Sequence, residues 1–558
     1  MLEEILAKLK EEQANNAEAG TEAALELNWD SLDISYQQLA ALISLFALAP
    51  IPLSLLESAV EASHLEIDVV AGCKALVERY LLQSVGKDSY QLHERVRDSL
   101  RDKLEGLENS EELKCGFCRA IATVARQIPE SLTQEDITSF SPAIPHLTEV
   151  ATEQQQWLTD ENLVYPFVGL GRFYKEQGAY SQAQPWWEQC VTIARNRLGS
   201  HHVDVATSLH NLAELYRDQG NYELAKLRYQ EALALRKELL GDRHADVAKS
   251  LNNLALVYRS QGEYKLAETL LQEALEIRKE LLGDRHTDVA ISLNDLALVY
   301  FSQGRYELAE PLLQEALTLR KELLGDRHLD VTESLMTLGY LYKNGQGRHE
   351  LAEPLYQEAL ALRKELLGDR HPKVALSLNN LAAIYNAQGR HELAEPLYQE
   401  ALTLRKELLG DRHPEVALSL NNLAAIYKDQ GRYELAEPLY QEALALRKEL
   451  LGDRHPDVAT SLQNLAAIYK VQGRYELAET FYQEALAMRK ELLGDRHPQV
   501  ARTLNYLAEL YLRQGRNELA EPLLQEALAI AEEGFRADHP LNAKIRKNLK
   551  SIERSSPE

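Results

Sequence analysis

Apolar and polar residues follow one pattern nine times between residues 161 and 538, with a period of 42 residues. The block His413–Arg454 shows the pattern most plainly, and the block before it, His371–Arg412, matches it at 37 of 42 positions. A histidine recurs from His202 to His539 in steps of 42 residues, with a single step of 43. Self-similarity at a fixed period of this length predicts a solenoid in which each repeat packs on its neighbours.

Within each block the apolar positions form two helical stripes. In the seventh block they fall three or four residues apart from Val416 to Tyr427, and again from Ala436 to Leu451. Gly431 and Gly452 follow the two stripes, where a left-handed residue ends a helix. Pro414 stands where a first helical residue can spare its N–H. Each block therefore predicts a pair of helices with more apolar surface than the pair alone can bury.

The blocks resemble the tetratricopeptide repeat, and their 42-residue length, LNNLA core and LGDRHP connector are most similar to the repeats of kinesin light chains. The residues at the family's signature spacing in the seventh block are Leu423, Ala424, Tyr427, Gly431, Tyr433, Ala436, Tyr440 and Ala443. The resemblance implies an all-α fold, a right-handed solenoid of nine repeats over residues 161–538 with a capping helix and tail in residues 539–558. It also implies an interaction scaffold that binds a peptide or protein segment in its concave groove.

A different pattern precedes the repeats. Residues 1–28 predict a short helix and a polar linker, and residues 108–160 predict a mostly helical linker that includes a helix at Glu111–Ile128. The predicted helices of residues 29–107 are Tyr36–Leu48, Ile51–Ala62, Ile67–Leu82 and Glu94–Leu107, with two short strand-like runs before the last of them. Three helices, a β-hairpin and a further helix predict a small winged-helix domain.

This segment resembles the winged-helix domain of NB-ARC-type STAND ATPases through Leu27–Leu32, Ile43–Glu57 and Tyr90–Leu104. Leu92, His93 and Glu94 stand where that family places a histidine beside the β-phosphate of ADP. No GxxxxGK(S/T) phosphate loop occurs, and the residues before Leu27 are too few to hold one. We therefore expect His93 to approach ADP only if a separate NB-ARC ATPase supplies the nucleotide. The resemblance implies the sensor or adaptor part of a STAND-type signalling system.

The charge balance bears on the choice of partner. The chain has 61 basic and 86 acidic residues, a net charge of −25, which repels phosphate backbones. A transcriptional regulator that binds DNA through the winged helix is the alternative function, but residues 29–105 themselves hold seven basic and twelve acidic side chains. With four cysteines and no apolar run of membrane-spanning length, we expect a soluble cytoplasmic protein that binds neither nucleic acid nor membrane.

The sequence predicts no enzyme, no cofactor and no metal site. Histidines on successive repeats are too far apart to converge on one ion, since packed helices lie about 8–10 Å apart and metal ligands lie about 2 Å from the metal. Cys115 and Cys118 lack a second ligand pair nearby. We assign the histidines to connectors and the cysteines to helix packing.

The candidate ligand-binding residues lie on the first helix of each repeat. In the tetratricopeptide family the position before the signature leucine often contacts a bound peptide backbone. That column and its neighbour contain Asn211, Asn252, Asn253, Asn294, Asn379, Asn380, Asn421, Asn422, Asn464 and Asn505. An asparagine amide offers the donors and the acceptor that match a peptide unit. Two alternatives stay open: the amides tie one repeat to the next, or a recent duplication copied them.

One helical turn further, a broken basic row consists of Arg217, Arg259, Lys343, Lys428 and Lys470. Leu256, Leu298, Phe301 and Tyr340 make the third to fifth repeats the most apolar part of the predicted groove. Together they predict an acidic peptide ligand with an apolar anchor. The alternative is a solvated basic face that balances neighbouring acids.

Overall fold

The computed structural model describes residues 25–535 and 539–553. Most of the N-terminal segment in which the sequence predicts a helix and linker therefore lies outside the described residues. The chain divides into two compact units. The first consists of residues up to 176 together with 181–200, and the second consists of residues 177–180 together with the chain from 201 onward.

The first unit begins with helices and a small sheet. Its elements are α1 (Ile34–Ser44), β1 (Ile51–Pro52), α2 (Leu53–Ala62), α3 (Val69–Glu78), β2 (Gln83–Ser84), β3 (Ser89–Gln91), α4 (Glu94–Glu105), α5 (Ser110–Gln127), α6 (Gln134–Phe140) and α7 (Ile144–Thr152). The strands pair antiparallel in the order β1-β3-β2. The hairpin lies where the sequence predicts it, while β1 is a third strand that the sequence analysis assigned to the start of a helix.

The β1 discrepancy has a local cause. Ile51 is fully buried and pairs with Tyr90, and Pro52 caps α2 in an extended conformation. Two prolines with one residue between them hold that stretch extended, since each fixes φ and disfavours a helical residue before it. The winged-helix assignment of this unit stays a prediction.

The core of the first unit is continuous from α1 to the first repeat. Phe46 and Phe117 pack edge to face with ring centroids 4.8 Å apart. His146 is fully buried beside them and connects to the α1–β1 loop: its Nδ1 accepts from the N–H of Ala47, and its Nε2–H donates to the carbonyl of Pro50. Burial lowers the pKa of His146 to about 4, so the imidazole is neutral near pH 7.

In the described residues, nine helix pairs and one further helix follow. They are α8/α9 (Tyr165–Glu176, Tyr180–Leu198), α10/α11 (Val203–Asp218, Tyr222–Leu240), α12/α13 (Ala245–Ser260, Tyr264–Leu282), α14/α15 (Thr287–Ser302, Tyr306–Leu324), α16/α17 (Leu329–Tyr340, His349–Leu367), α18/α19 (Pro372–Ala387, His391–Leu409), α20/α21 (Pro414–Asp429, Tyr433–Leu451), α22/α23 (Pro456–Val471, Tyr475–Leu493), α24/α25 (Pro498–Arg513, Asn517–Gly534) and α26 (Pro540–Glu553). The all-α repeat architecture is confirmed.

The recurring histidines cap the first helices. From His202 to His539, each Nδ1 accepts the backbone N–H two residues later at 3.0–3.2 Å. An accepting Nδ1 places the proton of the neutral ring on Nε2, which is left to donate elsewhere. The histidines therefore lie in the connectors, as the sequence indicates, and they also satisfy a helix-end N–H that the sequence analysis left unassigned.

The single 43-residue step is absorbed within one helix. In the fifth repeat α16 runs into a π-helical turn, Leu341–Gly345, which takes up one extra residue without breaking the stack. The next turn closes when Arg348 N–H donates to Tyr342 O at 2.9 Å. The proline inside the second helices is also tolerated, since α21 continues through Pro438.

The second unit contains more than one turn of superhelix, and consecutive turns contact each other. His455 Nε2–H donates to Asp218 O at 3.2 Å, and His497 Nε2–H donates to Ser260 O at 3.0 Å. Both pairs are 237 residues apart, a little under six repeats. The repeats therefore stack on a second layer of repeats as well as on their neighbours in sequence.

Candidate functional site

The structure separates the two asparagine columns by depth. Asn252, Asn379, Asn421 and Asn505 are less than a tenth exposed, and each lies inside the repeat stack. The second column stays half-buried, at the surface of the first helices. We call Asn211, Asn253, Asn380, Asn422 and Asn464 the amide row. Asn294 belongs to the inner column and is also half-buried.

Buried amides position members of the amide row in the next repeat. Asn422 Nδ2 donates to Asn379 Oδ1, and Asn464 Nδ2 donates to Asn421 Oδ1, both at 2.8 Å. Asn548 continues the pattern onto Asn505 Oδ1 at 2.9 Å. These bonds connect adjacent repeats, which is the first of the two alternatives left open by the sequence.

These asparagine–asparagine bonds between repeats, which we call the asparagine ladder, leave polar atoms available at the surface. Among the described residues, the side-chain oxygens of Asn422 and Asn464 accept no hydrogen bond, and each amide keeps a second N–H. The side chains of Asn380 and Asn211 make no hydrogen bond within that same part of the chain. The structure therefore fixes the orientation of two amides by a buried partner while their acceptors remain free.

The ladder changes in the second to fourth repeats. His210 stands in the inner column, where its Nε2 lies 3.0 Å from Asn253 Nδ2, and Asn252 Nδ2 donates to Asp295 Oδ2 at 2.7 Å. Burial, reinforced by the positive charge of Arg236, lowers the pKa of His210 to about 3. The ring is therefore neutral, and the row is held here by a different pair of side chains.

Most of the predicted basic row already has nearby acids. Arg217 pairs with Asp218 at 2.9 Å, Lys428 lies 3.4 Å from Asp429, and Lys470 lies 3.5 Å from Glu509. The exceptions are Arg259 and Lys343, neither of which makes an ion pair or a side-chain hydrogen bond in the described segments. Three of the five cations are therefore paired, and the unpaired charge lies in the third and fifth repeats.

Burial also changes the acid–base chemistry of the row. It lowers the pKa of Lys343 to about 8 and lowers that of Lys470, against the opposing effect of Glu509. Lys343 lies in the π-helical turn of the fifth repeat.

The aromatic residues of the predicted anchor region cluster. The Phe301 ring lies 5.0 Å from that of Tyr340 and 5.6 Å from that of Tyr306. All three line a cavity of about 750 Å³, whose opposite wall comes from residues 456–544 in the next superhelical turn. Leu256 and Leu298 are half-buried on the first helices and do not line this cavity.

Several cavity residues were not predicted. Tyr264 and Tyr306 begin second helices, and Arg489 and Arg502 belong to the eighth and ninth repeats, far from Phe301 in sequence. The aromatic residue after the glycine turn recurs in the sequence and is a visible signal. No single-repeat pattern indicates which repeats meet across turns.

The other residues with candidate chemistry are accounted for by packing. Cys118 is buried, and burial raises the pKa of its thiol well above the usual range. His93 is exposed at the N-cap of α4. Within residues 25–535 and 539–553 no group of three His, Cys, Asp or Glu side chains is placed to hold a metal ion.

No helix within the described residues is both long enough and apolar enough to cross a bilayer.

The repeat sequence matches the tetratricopeptide repeat family model in nine overlapping segments from residue 165 to residue 554. The chain belongs to the tetratricopeptide repeat family. None of the curated proteins compared with it matches in sequence.

Several solved structures are similar to this tetratricopeptide repeat protein. BtubC (BKLC) from P. vanneervenii is 25% identical, over 42% of this chain and 91% of that one, with a TM-score of 0.35. The STAND protein PH0952 from Pyrococcus horikoshii, with a tetratricopeptide repeat sensor, is 15% identical over 98% and 74%, TM-score 0.43. A Rap protein complexed with Competence and Sporulation Factor is 17% identical over 67% and 99%, TM-score 0.44. With every TM-score below 0.5, these likenesses carry no conclusion about function.

Proposed function

We propose that the protein is a non-catalytic interaction scaffold whose amide row binds an extended polypeptide segment. The observation that carries the proposal is the pairing of each of Asn422 and Asn464 with a buried amide of the preceding repeat. An asparagine side chain that a buried hydrogen bond already holds in place loses little further conformational entropy when it binds a ligand. The free amide oxygens then recur at the spacing of the repeats.

The magnitude of this contribution is modest. A hydrogen bond gives about 0.5–1.5 kcal/mol net, so four or five amide contacts supply a few kcal/mol. That is less than the cost of ordering a peptide and must be supplemented by side-chain contacts. The aromatic cluster around Phe301 and the unpaired Arg259 are the groups that this surface offers for such contacts.

Photo-crosslinking tests the proposal directly. A photoreactive amino acid replaces Asn380, whose side chain makes no hydrogen bond within the described chain. A matched probe replaces Asp369, whose carboxylate is 81% exposed in the preceding connector. In native extract, the Asn380 probe is expected to crosslink a polypeptide that the Asp369 probe does not. Identical crosslinked products from both positions would contradict binding at the amide row.

Substitution provides a second arm. Asn380, Asn422 and Asn464 are changed together to Ala, with Asp369, Asp411 and Asp453 changed to Ala as the control in three consecutive repeats. The crosslinked polypeptide, once identified, is titrated against both variants by isothermal calorimetry. We expect at least tenfold weaker binding for the asparagine variant only. Equal affinity for both variants would remove the amide row from the site.

The finer part of the proposal places this scaffold in a STAND-type signalling system, with a separate NB-ARC ATPase docking on the first unit. Its support is the resemblance of residues 27–104 together with the exposed position of His93. The test mixes the chain with the NB-ARC ATPase of the same organism, with and without ADP. We expect the two proteins to associate in an ADP-dependent way and His93→Ala to weaken the association. Association that changes neither with ADP nor with His93→Ala would contradict the proposal.

A further inference from the structure

Seven second helices, from the second to the eighth repeat, each carry a buried arginine near the C-terminal end. In six of them its Nη1 donates to the carbonyl of the residue ten positions later, at 2.9–3.3 Å. These pairs are Arg236–Asp246, Arg278–Asp288, Arg320–Asp330, Arg363–Lys373, Arg405–Glu415 and Arg447–Asp457. A carboxylate lies close to each of the six, and Glu333 supplies it where Lys373 replaces the acid.

The seventh arginine lacks such an acid. Arg489 is 3% exposed, and ten positions later the chain has Gln499. Its guanidinium donates to Gln463, Thr503 and Thr460, which are all neutral. Burial and the nearby charge of Arg502 lower the pKa of Arg489 to about 10, so it still carries its charge at pH 7. A buried guanidinium without an anion is costly, because its charge is desolvated and uncompensated.

Two more unpaired cations line the same cavity. Arg502 is exposed, Arg259 faces it from the other superhelical turn, and in the described chain neither makes an ion pair. Both guanidiniums lie close enough to Tyr264 to lower the pKa of its hydroxyl, against burial, which raises it more strongly. The three arginines are therefore neighbours although they come from different turns.

The acids of the lining do not neutralise this cluster. Among the lining residues that the structure describes, Asp457 is the one carboxylate, and it accompanies Arg447 of the preceding repeat. The fourth cation, Lys544, is paired with Glu509 at 2.9 Å. Within the described residues the cavity thus keeps three uncompensated positive charges, in a protein of net charge −25. Three helix N-termini, at Pro456, Pro498 and Pro540, add to the positive potential.

We propose that this inter-turn cavity binds a carboxylate of the polypeptide ligand, an acidic side chain or the chain's C-terminus, between Arg259, Arg489 and Arg502. The proposal rests on the proposed function for the identity of the ligand. The aromatic wall formed by Phe301, Tyr306 and Tyr340 contacts the apolar part of the segment that carries the carboxylate. Since the cations come from both turns, a bound anion also connects the two turns.

The decisive variant restores the pattern of the other repeats. Gln499→Asp supplies Arg489 with the acid that five of the six equivalent arginines have at that position, in the first turn of α24, where an acid is favourable. We expect it to fold at least as well as the wild type, so loss of anion binding cannot be attributed to unfolding. Asp246→Asn is the matched control, because it removes the acid from Arg236 outside the cavity.

The probe is a fluorescein-labelled peptide of one tyrosine and four glutamates, compared with its twin of four glutamines and an amidated C-terminus. We expect the wild type and Asp246→Asn to bind the acidic peptide at least tenfold more tightly than the neutral one. Gln499→Asp and Arg502→Gln are expected to lose that preference. Equal binding of the two peptides by the wild type, including binding of neither, would overturn the site, as would full preference in Gln499→Asp.

This outcome is separable from that of the proposed function. If Asn380 crosslinks a polypeptide while the acidic peptide shows no preference, the scaffold stands and the carboxylate site is wrong. If the preference is present and sensitive to Gln499→Asp while no polypeptide crosslinks to Asn380, the carboxylate site stands and the amide row is wrong.

Discussion

His455 and Asp218 are joined by a hydrogen bond across 237 residues. The imidazole Nε2–H donates to the backbone carbonyl at 3.2 Å, while Nδ1 of the same ring caps α22 by accepting from Asp457 N–H. One neutral histidine therefore ends a helix and also connects two superhelical turns. In the first turn the equivalent His286 only caps its helix, and its side chain is 40% exposed.

The inter-turn bonds depend on neutral histidine. Burial lowers the pKa of His497 to about 4, against about 6.5 in an unfolded chain. The unfolded chain then binds the proton more readily, so this contribution is fully present above about pH 6.5 and is lost as the pH falls towards about 4. Between pH 7.5 and 5.0 the loss from His497 is about 2 kcal/mol. Urea unfolding of wild type and His497→Asn measures it.

The asparagine variant keeps a helix cap but has no group that titrates in this range. We expect it to lose less stability than the wild type over the same pH interval. His286→Asn serves as the control and is expected to follow the wild type. A pH dependence in His497→Asn as steep as in the wild type would contradict the role of the inter-turn bond.

The glycine between the two helices of a repeat has a second role where two superhelical turns meet. Gly220 has φ +70°, and a Cβ there would overlap Cδ of Pro456 in the next turn, whereas a Cβ at Gly473 (φ +77°) meets nothing within 4 Å. Both Gly→Ala changes cost about 1–2 kcal/mol of backbone strain. Only Gly220→Ala is expected to separate the turns, seen as a larger radius of gyration in small-angle X-ray scattering. Equal radii for the two variants would show that the turns do not depend on this contact.

The asparagine ladder predicts a non-additive pair. Asn422→Ala leaves the oxygen of Asn379, a 6% exposed residue, without its partner, at a cost of about 1–3 kcal/mol. Removing both amides removes the unpaired group as well, so the double variant is expected to cost less than the sum of the single ones. Asn380→Ala, which breaks no hydrogen bond in the described chain, is the control and is expected to leave urea unfolding unchanged. Additive free energies would contradict the coupling.

A surface arginine connects each of the fourth to ninth repeats to the repeat before it. Arg432 lies over the Tyr427 ring at 4.5 Å and pairs with Glu395 at 2.9 Å. Arg432→Lys keeps the charge but cannot stack and bridge with the same geometry, so we expect a loss of about 0.5–1 kcal/mol in urea unfolding. Arg370→Lys, in an ion pair whose arginine is 69% exposed, is expected to change stability by less. Equal losses would show that the contact of Arg432 with Tyr427 and Glu395 adds nothing beyond an exposed ion pair.

The helices of each repeat could be predicted from the sequence because the same apolar pattern recurs in nine copies. The stripes Val416–Tyr427 and Ala436–Leu451 predict α20 and α21 to within a few residues, and Gly431 and Gly452 both have positive φ. The strand β1 was missed because a strand of two residues, Ile51 and Pro52, gives no periodic signal. The asparagine columns were found, but their division into a buried and a surface row depends on how deep each α-carbon lies in the stack.

The candidate site was only partly readable for a similar reason. Phe301 and Tyr340 were singled out as apolar positions of neighbouring repeats, and the structure places both in one cavity wall. Arg489 and Arg502 were not singled out. That position 499 holds Gln and not an acid matters only because the structure shows the equivalent arginines to be buried.

The sequence by itself determined the unit of this protein, a helix pair whose caps, turns and buried faces are set by residues within about 42 positions of one another. Only the tertiary structure decided which repeats meet across turns, as His455 and Asp218 do. The rotation between neighbouring repeats accumulates over nearly six of them before surfaces come into contact. No residue encodes that sum alone, so the cavity and its unpaired arginines belong to the superhelix and not to any single repeat.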